Sequence, residues 1–349
     1  MKNIIYLTIL SFLACKPNLN NLEKSIKNKN QNNIISSSYF LNSTKTSSNK
    51  TNVILTLIIK YSWETILPFM KSLKYTKFGN YDIIIFVQKI TQSVINHLKS
   101  FGAVIYEIPF KIKTINEIYS FRWKLYSKFL ENNKNKYNIV LSVDIRDTII
   151  QKEFFNLYED YNKFLAFSFE DANLTRLINN DWIINTFGIK VFKSISHQRT
   201  INAGTIWGSS DQFLEFSNIL YKWLLKYPEA VDQSVVNYLI YHEKILKDCI
   251  KITSDEYGPV ITLGLNEGKK IHLDSDNNIL NYRGEIASIV HQYDRHRNVK
   301  RVIKNKFCPE LNEKKSIRNI FILSQIFIII FISKQLLSSY KTRIAKKEK

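Results

Sequence analysis

Cysteine is scarce, with three in 349 residues. Cys15 closes an N-terminal apolar run, so removal of that run as a leader leaves only Cys249 and Cys308, enough for one disulfide or none. A small scaffold stapled by several bridges is thereby excluded. Internal repeats are lacking too, which sets aside solenoids and arrays. Acid is the minority charge: 30 Asp and Glu stand against 50 Lys and Arg, a formal net charge of +20. Much of that excess sits at the two ends of the chain. Residues 51–310 carry 34 basic and 27 acidic side chains, and the remaining +7 suits a polyphosphate ligand without calling for nucleic acid.

The ends do not read as core. Lys2 and the apolar run from Ile4 to Ala14 have the character of a signal peptide over residues 1–15, too short to span a bilayer. Small residues at Ala14 and Cys15 suit cleavage there; lipidation of Cys15 fits less well, because Phe12 stands where an aliphatic residue is wanted. Residues 16–50, dominated by Asn, Lys and Ser, have the composition of a low-complexity stalk. Beyond the folding unit 51–310 and a linker 311–319, residues 320–337 are long and apolar enough for a transmembrane helix, with Lys334 snorkelling near its end. The basic tail 338–349 is then cytosolic by the positive-inside rule, which puts the central unit in a lumen. Its ending, Lys346-Lys347-Glu348-Lys349, resembles a dilysine retrieval signal and implies the membrane of the endoplasmic reticulum or early Golgi. Sequons starting at Asn42, Asn49 and Asn173 permit N-glycosylation in such a compartment.

Within 51–310, apolar periodicity alternates between strand and helix. Strands are expected at Val53–Ile59, Asp82–Val87 and Val104–Ile108, with helices at Trp63–Leu73 and Gln92–Phe101 between them. A helix from Glu117 to Asn132 then leads into the strand Tyr137–Val143. This βαβ rhythm predicts an α/β domain with a parallel sheet. Further strands are expected at Phe164–Phe169, ending at Glu170 and Asp171, and at Ile201–Trp207. Ser209 with Gln212 forms a candidate capping box for a helix that stops before Pro228, and another helix runs from about Glu229 to His242.

The chemistry gathers at strand ends. Asp144-Ile145-Arg146-Asp147 leaves the carboxyl end of the apolar strand Tyr137–Val143, where open α/β sheets place their ligands. With His291-Gln292-Tyr293-Asp294-Arg295-His296 from the far end of the unit, it suggests a metal and diphosphate site. Asp144 and Asp147 suit a hard cation, and an imidazole such as His291 biases the choice toward Mn2+ over Mg2+. Taken alone, the acidic turn reads equally well as a salt-bridged strand end. Glu170 and Asp171 read either as a catalytic carboxylate or as a solvated loop pair. His97, His197, His242 and His272 lack ligand-like spacing.

Asp144-Ile-Arg-Asp147-Thr-Ile-Ile-Gln151, Phe154-Phe155, Asn202-Ala-Gly204, Asp232-Gln233, Asn237-Tyr238-Leu239 and His291-Gln-Tyr-Asp-Arg-His296 occur in this order. Together they resemble glycosyltransferases of the GT-A fold, in particular a plant and protist group with Asp-x-Arg-Asp-x-x-x-Gln and a terminal His-Gln-Tyr-Asp-Arg-His. The resemblance covers roughly residues 51–300. It implies a Rossmann-like, mixed but mostly parallel sheet flanked by helices, a nucleotide-sugar donor, and a glycan, glycoprotein or glycolipid acceptor. It also implies that Asp144 binds metal and donor and that His291 is a further metal ligand; Asp147, one residue beyond the usual second aspartate, would complete the set. Arg122 would meet the donor, Tyr61 would stack on its base, and Asn202 would contact its sugar; where glycogenin-like members follow the histidine with Gly and Lys-Pro-Trp, this chain offers Arg295 as the cation for the diphosphate. Gly204 would let backbone approach the ligand, and Asp232 with Gln233 would hold the transferred sugar and the acceptor at the reacting carbon. The chain departs from the usual Asp-x-Asp in placing Arg146 where the second aspartate stands. Two other classes remain open on the residues: a GT-A-fold glycan-binding protein without activity, and a haloacid dehalogenase-like phosphatase, whose Asp-x-Asp-x-Thr is one residue shorter than Asp144 to Thr148.

Overall fold

The computed structural model describes residues 51–76, 80–155, 163–254, 257–264 and 271–311. The leader, the stalk, the transmembrane segment 320–337 and the basic tail lie outside the described residues. Among the described residues no helix is long and apolar enough to cross a membrane.

The first half is a run of βα units: β1 (Thr51–Ile59), α1 (Trp63–Tyr75), β2 (Tyr81–Gln88), α2 (Gln92–Ser100), β3 (Ala103–Glu107), α3 (Ile115–Asn132) and β4 (Tyr137–Val143). The second half contributes β5 (Thr148–Ile150), β6 (Leu165–Asn173), α4 (Leu177–Phe187), α5 (Ile189–Ile195), β7 (Arg199–Ser209), α6 (Ser210–Lys226), α7 (Asp232–Tyr241), β8 (Ile250–Thr253), β9 (Val260–Thr262), β10 (Ile289–His291) and α8 (Arg297–Phe307). The main sheet has the order β3-β2-β1-β4-β7-β6-β8. β7 runs antiparallel to both neighbours, and the other adjacent pairs are parallel. The mixed, mostly parallel sheet flanked by helices is the one the resemblance implied; periodicity had pointed to a parallel sheet, and β7 is the strand that departs from it.

Strand alternation sorts the core into two layers. Val53 and Leu55 of β1 join Ile84 and Phe86 of β2 under the aromatic face of α3, which supplies Trp123, Tyr126 and Phe129. Ile54 and Ile58 point the other way, with Ile83 and Ile85, onto Phe69 and Met70 of α1. Burial on both faces explains why β1 and β2 read as continuous apolar runs. α3 is started by a capping box that periodicity alone did not disclose: the Thr114 hydroxyl accepts from Glu117 N–H, while Glu117 reaches back to the Thr114 N–H.

Local expectations need correcting in three places. β6 runs through Glu170 and Asp171 to Asn173, so this acidic pair belongs to a strand and not to a loop, and the Glu170 side chain is buried. Ser209 is the N-cap of α6 but makes no side-chain cap bond, so the expected box with Gln212 is not formed. α7 begins at Asp232 and not near Glu229. Cys249 and Cys308 are free thiols.

A second, three-stranded sheet has the order β5-β10-β9. Gln151, just after β5, holds it in place: its Nε2 donates to the carbonyls of Ile279 and Ala287 at 3.0 Å each, and its Oε1 accepts from Ile279 N at 2.8 Å. The glutamine of the Asp-x-Arg-Asp-x-x-x-Gln pattern is thus a backbone staple for residues 279–288. Gln151→Ala removes three such bonds at about 1 kcal/mol each, so the expected loss of stability is about 2–4 kcal/mol, read as a lowered urea midpoint at constant m-value.

Candidate active site

The site is built from the ends of β4, β7 and β10 and the start of α7. After Val143 the ladder continues for one more bond, from Asp144 N to Gly204 O at 2.9 Å. The chain then turns, with Thr148 Oγ1 donating to Asp144 O at 2.8 Å, and enters β5. β5 pairs antiparallel with β10 so that Thr148 faces His291. That register sets the imidazole beside the acidic turn: His291 Nε2 lies 3.6 Å from Asp147 Oδ1 and 3.9 Å from Asp144 Oδ2.

Gly204 makes the approach feasible. A Cβ built there would lie 2.6 Å from His291 Nε2 and 2.8 Å from Asp144 Oδ2. The space that glycine frees is thus taken by the two side chains themselves, whereas the resemblance implied that it was left for ligand.

Asp147 and His291 are 2% and 1% exposed, whereas the Asp144 side chain is open to the cleft. Burial raises the Asp147 pKa, but His291, Arg146 and Arg295 outweigh it and hold the carboxyl down to about 2. Burial raises that of Asp144 as well, only partly countered by Arg122. His291 is lowered by burial yet raised overall by Asp147, Asp144 and Glu170. The carboxylates around the imidazole therefore favour a positive charge at this point of the cleft, which a proton or a bound cation could supply.

These residues fit a divalent cation. Ligand atoms of Asp144, Asp147 and His291 lie within 4.8 Å of one another. Asp147 Oδ1 and both His291 ring nitrogens are buried with no hydrogen-bond partner. Orphaned polar atoms of this kind are rare in folded proteins unless an ion or water completes them. Two carboxylate oxygens and an imidazole nitrogen form a mixed oxygen and nitrogen set, the donor chemistry of Mn2+ more than of Mg2+.

Arg122 lies beneath the triad. Its Nη1 donates to Asp144 Oδ1 at 2.5 Å and its Nη2 donates to Asp232 Oδ2. The guanidinium also sits 4.9 Å from the Trp123 ring centre, while Trp123 Nε1 donates to Asp232 Oδ2 at 3.2 Å. Asp232, 4% exposed, is thereby fixed by two donors.

A buried amide network completes the floor. Asn202 Oδ1 accepts from Gly204 N at 2.7 Å, its Nδ2 donates to Glu170 Oε1 at 2.7 Å, and Gln233 Nε2 donates to Asn179 Oδ1 at 3.2 Å. Glu170, 2% exposed, has its pKa raised by burial, offset in part by Asn202 and Gln233. Sequence reading left Glu170 balanced between a catalytic carboxylate and a solvated loop residue, and gave it no role in the site. A signal was present: Ala166, Ser168 and Glu170 alternate with Leu165, Phe167 and Phe169, placing small and polar groups on one face of β6.

The candidates Tyr61, Arg122, Asp144, Asp147, Asn202, Gly204, Asp232, Gln233, His291 and Arg295 all line one cleft of about 460 Å³, together with Arg146 and Gln292. Tyr61 enters it because Lys60 adopts a left-handed turn (φ 60°) at the end of β1. Arg295 stands at the rim, with Nη2 at 3.5 Å from Asp147 Oδ2 and Nη1 at 3.0 Å from Asp294 Oδ1. His296 turns away and contacts Leu263 O at 2.6 Å.

Among solved structures the chain is similar to the galactosyltransferase LgtC in complex with donor and acceptor sugar analogs, at 14% identity and TM-score 0.45 over 73% of this chain and 96% of that one. An active-site mutant of LgtC is similar at 13% identity and TM-score 0.44, covering 72% and 94%. The glycosyltransferase GlyE of Streptococcus pneumoniae TIGR4 is similar at 15% identity and TM-score 0.42, covering 70% of this chain and 55% of that one. No family model and no curated protein matches the sequence. Likeness at this level leaves the donor and acceptor of this protein to be argued from its own side chains.

Because the Gly204 position is filled by His291 and Asp144, Gly204→Ala is expected to push the imidazole out of the triad. Overpacking of this kind costs about 1–3 kcal/mol. Mn2+ binding, followed by the electron paramagnetic resonance of the free ion, should weaken at least about tenfold.

Proposed function

We propose that the chain is a glycosyltransferase that moves a sugar from a nucleotide-diphospho-sugar to a hydroxyl group of a glycan, glycoprotein or glycolipid, with Mn2+ or Mg2+ held by Asp144, Asp147 and His291. The observation that carries this reading is the triad: buried, unpartnered ligand atoms of Asp147 and His291 beside the cleft-facing carboxylate of Asp144. A divalent ion bound there would neutralise charge on the departing diphosphate. Arg295, with Arg146 beside it, adds fixed cations on the same side. The carboxylate and imidazole set also answers the departure from Asp-x-Asp: Asp147 supplies the second carboxylate one residue further on, and Arg146 turns to Asp147 and Asp294.

Tyr61, following β1, offers a ring to the base. Asn202 and Gln233 present amides to the sugar, held in orientation by Glu170 and Asn179. Asp232 already accepts from Arg122 and Trp123, so its role is a fixed negative charge beside the anomeric carbon and not a proton shuttle. In the transfer, the bond between C1 and the diphosphate oxygen breaks, and its electron pair leaves with the nucleoside diphosphate. C1 bonds to the acceptor oxygen, whose proton passes to the departing diphosphate.

Three βα units precede Asp144, whereas the haloacid dehalogenase motif opens its domain, and this weighs against the phosphatase reading. The proposal extends to location in the membrane of the endoplasmic reticulum or early Golgi, with the catalytic unit lumenal. The apolar run 320–337 and the basic tail support it.

The test is nucleotide release by the purified full chain from UDP-glucose, UDP-galactose, UDP-xylose, UDP-N-acetylglucosamine and GDP-mannose, with Mn2+ and with excess EDTA. One donor is expected to turn over with Mn2+. Asp144→Asn should slow it at least about a hundredfold while the protein still melts cooperatively. Donor binding without turnover would leave an inactive glycan-binding protein, and turnover in EDTA would assign the charge neutralisation to Arg146 and Arg295.

A further inference from the structure

The cleft has an apolar wall that the reading above does not use. α3 contributes Ile115, Ile118, Tyr119 and Arg122 to the lining, a spacing of three, four and seven residues that puts all four on one helix face. Exposure falls along that face: Ile115 is 62% exposed, Ile118 and Tyr119 are half-buried, and Arg122 is 8% exposed. Seven residues at about 1.5 Å each make a track of roughly 10 Å from the mouth of the cleft to the Arg122 and Asp232 pair. Trp182 of α4 and Val231, the residue before Asp232, belong to the same lining. Tyr119 stands between Ile115 at the mouth and Arg122 at the inner end of the track.

Outward of Arg122 the wall offers a diphosphate no cation and no metal ligand; those partners lie with Asp144, Asp147, His291, Arg295 and Arg122 itself, at the inner end of the track. We infer that the wall is the acceptor subsite, and that it takes a glycoside with an apolar aglycone. The leading sugar would lay its C–H face on Trp182 and Tyr119, with its hydroxyl directed at Asp232 and Gln233. The aglycone would follow Ile118 and Ile115 toward solvent. Single exposed apolar residues are ordinary; a file of them leading from the surface to a charged reaction centre is a binding groove. The inference rests on the proposed transferase activity.

The experiment uses the full chain, the donor that it hydrolyses, and acceptors offered as free sugars, phenyl glycosides and octyl glycosides of galactose, glucose, mannose and N-acetylglucosamine. For the accepted sugar, the octyl or phenyl glycoside is expected to have a KM at least about tenfold below that of the free sugar. A gain confined to octyl indicates a lipid-like tail, and an equal gain with phenyl indicates a short aromatic aglycone. In Ile115→Asn, at an exposed position with little bearing on folding, that ratio should fall below about threefold, whereas Trp182→Leu should raise the KM of free sugar and glycoside alike and leave the ratio near its wild-type value; donor KM should move less than twofold in both. An unchanged ratio in Ile115→Asn, an unchanged acceptor KM in Trp182→Leu, or no preference for apolar aglycones in the wild type overturns the inference. A rise in donor KM in the variants would overturn it too, by giving the wall to the donor base. Absence of nucleotide release from every donor would instead defeat the transferase reading itself, and the acceptor subsite with it.

Discussion

The guanidinium of Arg122 is the constraint on which the site depends. It is nearly buried, and burial works against its charge, yet the carboxylates of Asp232 and Asp144 raise its pKa overall. Those carboxylates come from different parts of the fold, one following β4 and one opening α7. Without a cation between them, Asp144, Asp147, Asp232 and Glu170 would crowd negative charge into a region with little water. A buried ion pair of this kind is weak as a source of net stability, but removing its cation leaves charges with nowhere to go. Its value lies in placement, since both carboxylates are tied to a helix whose opposite face is packed into the aromatic core through Trp123, Phe213 and Phe216.

Backbone ladders deliver the other half. Asp144 hangs from the end of β4 through its bond to Gly204 of β7, and His291 is aligned with Thr148 by the β5 and β10 register. Each ligand therefore sits on a strand or one residue beyond it. Sites carried on regular elements hold their geometry better than sites carried on loops. The glutamine staple at residue 151 belongs to the same device, because it fixes the segment that leads into β10 and so fixes where the imidazole arrives. Motif residues that look catalytic by their neighbourhood divide here into those that face the cleft and those, like Gln151 and His296, that hold the cleft residues in position.

Legibility followed hydrophobic periodicity. β1, β2 and β4 are β-branched runs buried on both faces, and Asp144 at the end of β4 stands out as the first carboxylate after such a run. The three-residue strands β5, β9 and β10 carry too little periodicity to be read, and their pairing joins segments from opposite ends of the folding unit. The clustering of Asp147 with His291 was thus suggested by residue chemistry and by resemblance, and only the structure supplies its cause. Glu170 read equally well as a catalytic carboxylate or a solvated strand-end residue, because its burial depends on amides from Asn202, Asn179 and Gln233, partners remote in sequence. α4 and α5 also went unread: α4 is apolar with little amphipathic contrast, and α5 is only seven residues long.

One helix joins the two chemically distinct parts of the cleft. Along α3, Arg122 meets the charged floor while Ile118 and Ile115 form the apolar wall, and Trp123, Tyr126 and Phe129 anchor the remaining surface. The separation between the reacting centre and the far end of the wall is then set by helical rise and not by loop conformation. On the transferase reading, that makes the geometry of the acceptor groove as rigid as that of the charged floor. Variation in acceptor would be achieved by changing side chains at 115, 118, 119 and 182 on a fixed frame. Changes at Arg122 or Trp123 are different in kind, because they loosen Asp232 and Asp144 together and disturb both ends of the cleft at once.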